Sequence, residues 1–261
     1  MIQIPGIVDR CRRTAGRALS PLSEAALNFV YPPSCHLCGS ELNPQDRCAF
    51  CGVCLSKLKP RLSNVCKRCG APVGPYVDLT KGCGQCRRET FAFDRVIRLG
   101  VYDGDMRLAC LRAKATGGSS LSRGLAAVFV AQQRSDFEEF AIDLAVPVPE
   151  HWTRRLFHPH YAAETLSREV SRQLRIHWTR RLLTKLRRTP KQATSPTVQR
   201  RQQQNGSFGV NRRFDLAGKT ILLVDDILTT GSTANAAARA LKRAGAKQVI
   251  VAVIAVSPLR R

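Results

Sequence analysis

Residues 221–233 read Ile-Leu-Leu-Val-Asp-Asp-Ile-Leu-Thr-Thr-Gly-Ser-Thr. Four apolar residues lead into two adjacent carboxylates, Asp225 and Asp226, and then into a small hydroxyl-rich stretch, Thr229, Thr230, Gly231, Ser232 and Thr233. The apolar run predicts a buried strand over 219–224. The small polar residues predict a loop that opens a helix over 232–244, closed by Gly245. A second apolar run, 248–256, is continuous rather than alternating, which is the pattern of a strand covered on both faces. Strand, helix and strand in this order form a βαβ unit, so the fold class is α/β with a parallel sheet flanked by helices.

The same stretch predicts a ligand. In an open α/β sheet ligands lie beyond the carboxyl ends of the strands, and a helix N-terminus offers free N–H groups and partial positive charge to a phosphate. Thr229 to Thr233 can cradle that phosphate. Asp225 and Asp226 stand where they can accept hydrogen bonds from sugar hydroxyls or help hold Mg²⁺. Phosphate beside hydroxyls points to ribose 5-phosphate.

Ten of the eleven cysteines fall between Cys11 and Cys86. Eight form four C-x-x-C pairs: Cys35 and Cys38, Cys51 and Cys54, Cys66 and Cys69, Cys83 and Cys86. A C-x-x-C turn directs two sulfurs to one point, and two such pairs make one tetrahedral zinc site. Twelve residues separate Cys38 from Cys51 and thirteen separate Cys69 from Cys83. This spacing suits two sequential zinc ribbons, Cys35/Cys38/Cys51/Cys54 and Cys66/Cys69/Cys83/Cys86. Interleaved pairing is an alternative, as is Cys48/Cys51 in place of Cys51/Cys54, with His36 a remoter substitute. A four-thiolate site leaves no position for water, so the two zinc ions are expected to be structural. Cys11 and Cys110 have no partner at ligand spacing and read as ordinary thiols.

These blocks divide the chain into a helical lead (1–34), a double zinc ribbon (35–90) and an α/β domain (91–261). No long Gly/Ser linker intervenes, so the two parts are expected to pack together. Within the α/β part the pattern predicts strands over 93–102 and 142–146 and helices over 105–114, 121–133, 160–174 and 195–204. Residues 176–186 are ambiguous. His151, His158, His160 and His177 read as surface histidines.

The chain has 42 Lys and Arg against 19 Asp and Glu, a formal charge of +23, which favours a polyanionic partner. Residues 151–213 carry 15 basic and 2 acidic groups, interleaved with Trp152, Phe157 and Trp178. Arginine grips phosphate and aromatic rings stack bases, a combination suited to single-stranded DNA, although a solvated face and core tryptophans give the same composition. No apolar run approaches a membrane span, so the expectation is a cytoplasmic protein with no membrane insertion.

Residues 221–233 resemble the phosphoribosyl pyrophosphate (PRPP) motif of the type I phosphoribosyltransferases. With the cysteines ahead of it, the whole chain resembles the ComF family, a double zinc ribbon fused to a phosphoribosyltransferase-like domain and associated with natural competence and DNA uptake. Val146-Pro147-Val148-Pro149 with Arg154-Arg155 resembles the stretch before that family's flexible loop. Lys114 and Gly117 are similar to its pyrophosphate-loop positions, and Thr189-Pro190-Lys191-Gln192, Arg200 and Phe208 to its following segment. Ala115, residues 156–161 and Gln203 depart from the pattern.

The resemblance implies that Asp225 and Asp226 hold the ribose hydroxyls of PRPP and that residues 229–233 hold its 5-phosphate. Lys114 and Mg²⁺ would neutralise the leaving pyrophosphate in a glycosyl transfer. A second reading is a non-enzymatic adaptor of the competence machinery that contacts DNA or a helicase and retains a vestigial PRPP site.

Overall fold

A computed structural model describes residues 32–42, 49–58, 64–150, 161–186 and 206–257. Residues 1–31 of the expected helical lead, the helix over 195–204, Cys11, Cys48, Trp152, Phe157, the histidines at 151, 158 and 160, the segment 189–192, and the arginines at 154, 155, 187, 188, 200 and 201 lie outside these residues. Residues 32–34 of the expected lead are not helical, and Ser34 bridges to Glu41.

The first ribbon contributes one short helix, α1 (Gly52–Lys57). The remainder runs β1 (Arg95–Val101), α2 (Gly104–Lys114), α3 (Ser119–Gln132), α4 (Arg134–Glu138), β2 (Leu144–Pro147), α5 (Ala162–Leu174), β3 (His177–Trp178), β4 (Leu183–Lys185), β5 (Phe208–Val210), β6 (Thr220–Leu228), α6 (Ser232–Arg243) and β7 (Gln248–Val256). Five strands form one sheet in the order β1-β7-β6-β2-β3, every pair parallel. β4 and β5 pair antiparallel in a separate two-stranded sheet. β6, α6 and β7 make the expected βαβ unit. The ambiguous stretch 176–186 resolves into β3 and β4.

Apolar residues on both faces explain why these strands read as continuous runs. Leu222, Val224, Ile250, Ala252 and Ile254 join the core under α2, α3 and α5. Their neighbours Ile221, Leu223, Val249, Val251 and Val253 join the core under α6, with Leu183 and Phe208 of the small sheet. Among the described residues no helix is long and apolar enough to cross a membrane.

One boundary differs from the sequence expectation in a way that matters. The strand expected to end at 224 continues through Asp225 and Asp226 to Leu228, with Asp225 in register with Val253 and Ile227 with Ala255. The adjacent strand supplies hydrogen-bond partners that propensity cannot reveal, so two carboxylates are held in extended backbone rather than in a loop.

The two ribbons dock on opposite faces of the sheet. Cys35, Leu37, Leu42, Phe50, Cys54 and Leu58 merge into the core shared with α2 and α3. There the Arg112 guanidinium donates to the carbonyl of Leu37. The second ribbon has its own small core of Cys66, Ala71, Cys83 and Cys86, against which Phe91 packs. It meets β1 at the sheet edge, where Val96 N–H donates to the carbonyl of Lys67 at 2.9 Å. An edge strand is thereby covered by a metal knuckle, which removes a template for unwanted pairing.

Candidate functional site

The two C-x-x-C knuckles of each ribbon converge as the sequential pairing requires. Cys35, Cys38, Cys51 and Cys54 form one cluster, and Cys66, Cys69, Cys83 and Cys86 the other, with the sulfurs of each set within 4.8 Å of one another. His36 stands outside the first cluster. The Sγ–Sγ separations are 3.8 Å for Cys38–Cys51, 3.6 Å for Cys66–Cys86, 3.6 Å for Cys69–Cys83 and 3.8 Å for Cys83–Cys86. A zinc ion with bonds of about 2.3 Å to four tetrahedral thiolates separates its sulfurs by about 3.8 Å. The thiolates therefore fit zinc without rearrangement. The knuckles repeat one backbone design: Gly39 N–H donates to the carbonyl of Cys35 at 2.8 Å, and Gly70 N–H to that of Cys66 at 2.7 Å.

The second site forms at the C-terminal end of β6. Strand alternation sends adjacent side chains to opposite faces. Asp226 continues the set of Leu222 and Val224 toward the α2 side, and there Lys114 Nζ lies 3.0 Å from its Oδ2. Lys114 is in the last turn of α2, followed by a turn that ends at Gly118. That turn is closed so tightly that a Cβ on Gly118 would lie 2.4 Å from the carbonyl oxygen of Ala113. Asp225 continues the other set, and one of its oxygens accepts from the N–H of Asp226 at 2.9 Å.

Charge and burial act together here. Burial pushes the Asp225 carboxyl up to about 8, and the charge of Asp226 adds to the effect. Burial also works against the charge of Lys114, but the attraction of Asp226, helped by Asp225, outweighs it and raises its pKa. Lys185 of β4 is a second cation that favours the Asp225 carboxylate. It lies over the Phe208 ring, with Nζ 5.8 Å from the centroid. Nothing in the sequence singled out Lys185, because it stands in the stretch whose secondary structure was ambiguous.

The loop after β6 has the form a phosphate cradle needs. Gly231 adopts φ +73°, a left-handed conformation that glycine takes without steric cost, and α6 starts at the next residue. Thr230 Oγ1 and Ser232 Oγ are 2.7 Å apart. Thr229 is exposed, whereas Gly231 is buried beneath Phe91 and Phe93. These rings stack with centroids 4.6 Å apart. Asn235 in the first turn of α6 accepts from Ala92 N–H at 2.7 Å, tying the segment after the second ribbon to the loop's helix.

The basic segment is only partly a free surface among its described residues. The Trp178 indole N–H donates to Ser167 Oγ at 2.5 Å and the ring carries Arg168 on one face, so it is a packing group of α5. Arg172 is paired with Glu169 and Arg180 with Glu164. Arg181, Arg212 and Arg213 are exposed on neighbouring turns that Asn211 links.

The chain matches the phosphoribosyl transferase domain family over residues 159–260 and the double zinc ribbon domain family over residues 26–91. It is 24% identical over 206 residues to competence protein F of Haemophilus influenzae, covering 77% of this chain and 88% of that one. It is 26% identical over 227 residues to DNA utilization protein YhgH of Salmonella typhi, covering 85% of this chain and 96% of that one. Among solved structures it is similar to adenine phosphoribosyltransferase from Saccharomyces cerevisiae, with 20% identity, TM-score 0.34, and 53% and 69% of the two chains covered. It is also similar to glutamine PRPP amidotransferase from B. subtilis, with 20% identity, TM-score 0.32, and 56% and 26% covered.

Proposed function

We propose that this chain, which belongs to the ComF family joining a double zinc ribbon to a phosphoribosyltransferase-like domain, binds PRPP or a related ribose 5-phosphate ligand with Mg²⁺ and serves the uptake or use of DNA. The observation that carries the ligand is the Lys114–Asp226 contact at the end of β6, immediately ahead of the Gly231 turn. It puts a cation, two carboxylates and a helix N-terminus at one strand end. The N–H groups of residues 229–233 take the 5-phosphate. Asp226 accepts from a ribose hydroxyl. Burial pushes the Asp225 carboxyl up to about 8 in the ligand-free site; Mg²⁺ bound there would displace that proton and leave Asp225 to accept from a ribose hydroxyl. Lys114 exchanges part of its contact with Asp226 for the pyrophosphate.

Asp225 and Asp226 are hard oxygen donors of the kind that hold Mg²⁺, which when bound neutralises pyrophosphate charge. With these parts, glycosyl transfer from PRPP to an acceptor is the chemistry the site supports, Lys114 stabilising the charge that develops on the departing pyrophosphate. The cysteine clusters hold two structural zinc ions.

The names of the relatives support the DNA link, and the exposed Arg181, Arg212 and Arg213 are the described residues suited to a single-stranded DNA backbone. A helicase of the competence machinery and a cytoplasmic setting belong to the same reading.

Calorimetric titration of PRPP with Mg²⁺ into the wild type and Asp226→Asn tests the ligand. Wild-type binding weakened roughly tenfold or more in the variant, the worth of one charged hydrogen bond, supports the site. No binding by the wild type removes the PRPP reading. Single-stranded DNA binding that falls steeply with salt and is the same in both proteins then leaves the adaptor reading.

A further inference from the structure

Arg98 lies on β1 at the sheet edge and is 5% exposed, the one buried guanidinium or ammonium among the described residues. Its Nε and Nη2 are both buried without a hydrogen-bond partner. A buried, unpaired guanidinium is costly, so a native structure that keeps one normally holds a compensating charge beside it. The side chain runs along the second zinc knuckle: a Cβ built on Gly70 would lie 3.5 Å from Arg98 Cδ, and Gly70 directly follows the ligand Cys69. Two residues along the same strand, Val96 N–H is bonded to Lys67 of that knuckle.

Four thiolates around one zinc ion leave roughly two net negative charges. At the first cluster Cys38 is exposed and Cys51 half-buried, so water can screen that charge. At the second cluster three of the four cysteines are buried and Cys69 is half-buried, so the charge needs a protein cation. We propose that Arg98 is the counter-ion of the second zinc–thiolate centre, which makes that centre a joint product of the ribbon and the parallel sheet. The ribbon supplies the sulfurs, and the sheet edge supplies the positive charge. Loss of the metal would then strand a buried cation in the sheet, whereas loss of the first zinc would not.

The inference rests on zinc filling both clusters, so the wild-type metal count comes first; a count below two would fault the double-site reading rather than the role of Arg98. Zinc release to a chromophoric chelator is then followed in the full chain, with Cys38→Ser and Cys69→Ser identifying which phase belongs to which centre. Arg98→Met is expected to release the second zinc about 10- to 100-fold more readily, the usual effect of removing a partner behind a metal ligand, with the first-centre phase unchanged. Arg98→Lys, which keeps the charge, is expected to recover most of the difference. Unchanged second-centre release in Arg98→Met, or equal acceleration at both centres, overturns the proposal. Should Arg98→Met not fold, Arg98→Lys decides alone: near-wild-type release supports the proposal, and loss of the second zinc as free as in Cys69→Ser overturns it.

Discussion

Replacing Gly70 by Ala should cost far more than replacing Gly39 by Ala, although the two glycines occupy the same place in the two zinc knuckles. Each follows the second cysteine of a C-x-x-C pair and each is left-handed, at φ +74° and +78°. The backbone strain of placing an alanine there is therefore common to both, about 1–2 kcal/mol. The difference lies in what the added methyl meets. At Gly70 it would lie 2.8 Å from Val96 Cγ1 and 2.9 Å from Val256 Cγ2, inside any tolerable contact, whereas at Gly39 nothing lies within 4 Å. Both valines are buried β-branched side chains with little freedom to turn away. Overpacking of this kind costs about 1–3 kcal/mol. Gly70→Ala should thus destabilise by roughly 2–5 kcal/mol and Gly39→Ala by roughly 1–2 kcal/mol. For a domain of this size the extra 1–3 kcal/mol corresponds to a Tm lowered further by about 2–12 °C. Thermal unfolding of the zinc-loaded variants, followed by circular dichroism beside a metal count, reads the difference. Equal melting temperatures at full zinc loading would refute the close docking of the second knuckle on the sheet edge.

Three further outcomes follow from the geometry. Gly124→Ala, on α3, places a methyl 2.5 Å from Ala49 Cβ and 3.1 Å from the Phe50 ring; the helix propensity it gains, about 1 kcal/mol, is expected to be outweighed, with a lower Tm and faster proteolysis of the first ribbon. A net rise in Tm would show that the ribbon is not seated on α3. The Asp225 carboxyl stands near 8 when folded against 3.8 when unfolded, so the folded state holds a proton that the unfolded state has lost and stability falls as pH rises from about 4 to about 8. Asp225→Asn should flatten that slope by a few kcal/mol in urea titrations across the window, and parallel curves for the two proteins would contradict the burial of the carboxyl. Lys114→Met removes the cation that holds Asp226 and should weaken PRPP binding more than Gly39→Ala does, read by the same calorimetry.

How much of this was legible in the sequence depended on range. The strand over 248–256 was read to the residue, and the α6 helix to within one at its end, because apolar period, a positive-φ glycine and a closing glycine are local signals. The zinc clusters were legible for the same reason: a C-x-x-C knuckle is built by a few consecutive residues, and the repeat spacing leaves few ways to pair them. β6 runs beyond the expected end at 224 to Leu228 because its last residues are extended through pairing with β7, a partner that local propensity does not contain.

The residues alone thus give a set of parts: a βαβ unit with an acidic strand end and a phosphate-type turn, four C-x-x-C pairs, and a strongly basic chain. How they meet, including which C-x-x-C pairs share a cluster, is set by the packing of the folded chain. It sets the strand order β1-β7-β6-β2-β3, which brings Lys114 across 112 residues to Asp226, and Lys185 to the neighbourhood of Asp225. It also puts the two ribbons on opposite faces and buries Arg98 between a metal knuckle and a sheet edge. These contacts join residues far apart in the chain, and they follow from which surfaces can exclude water and balance charge together, a property that no short window of sequence carries.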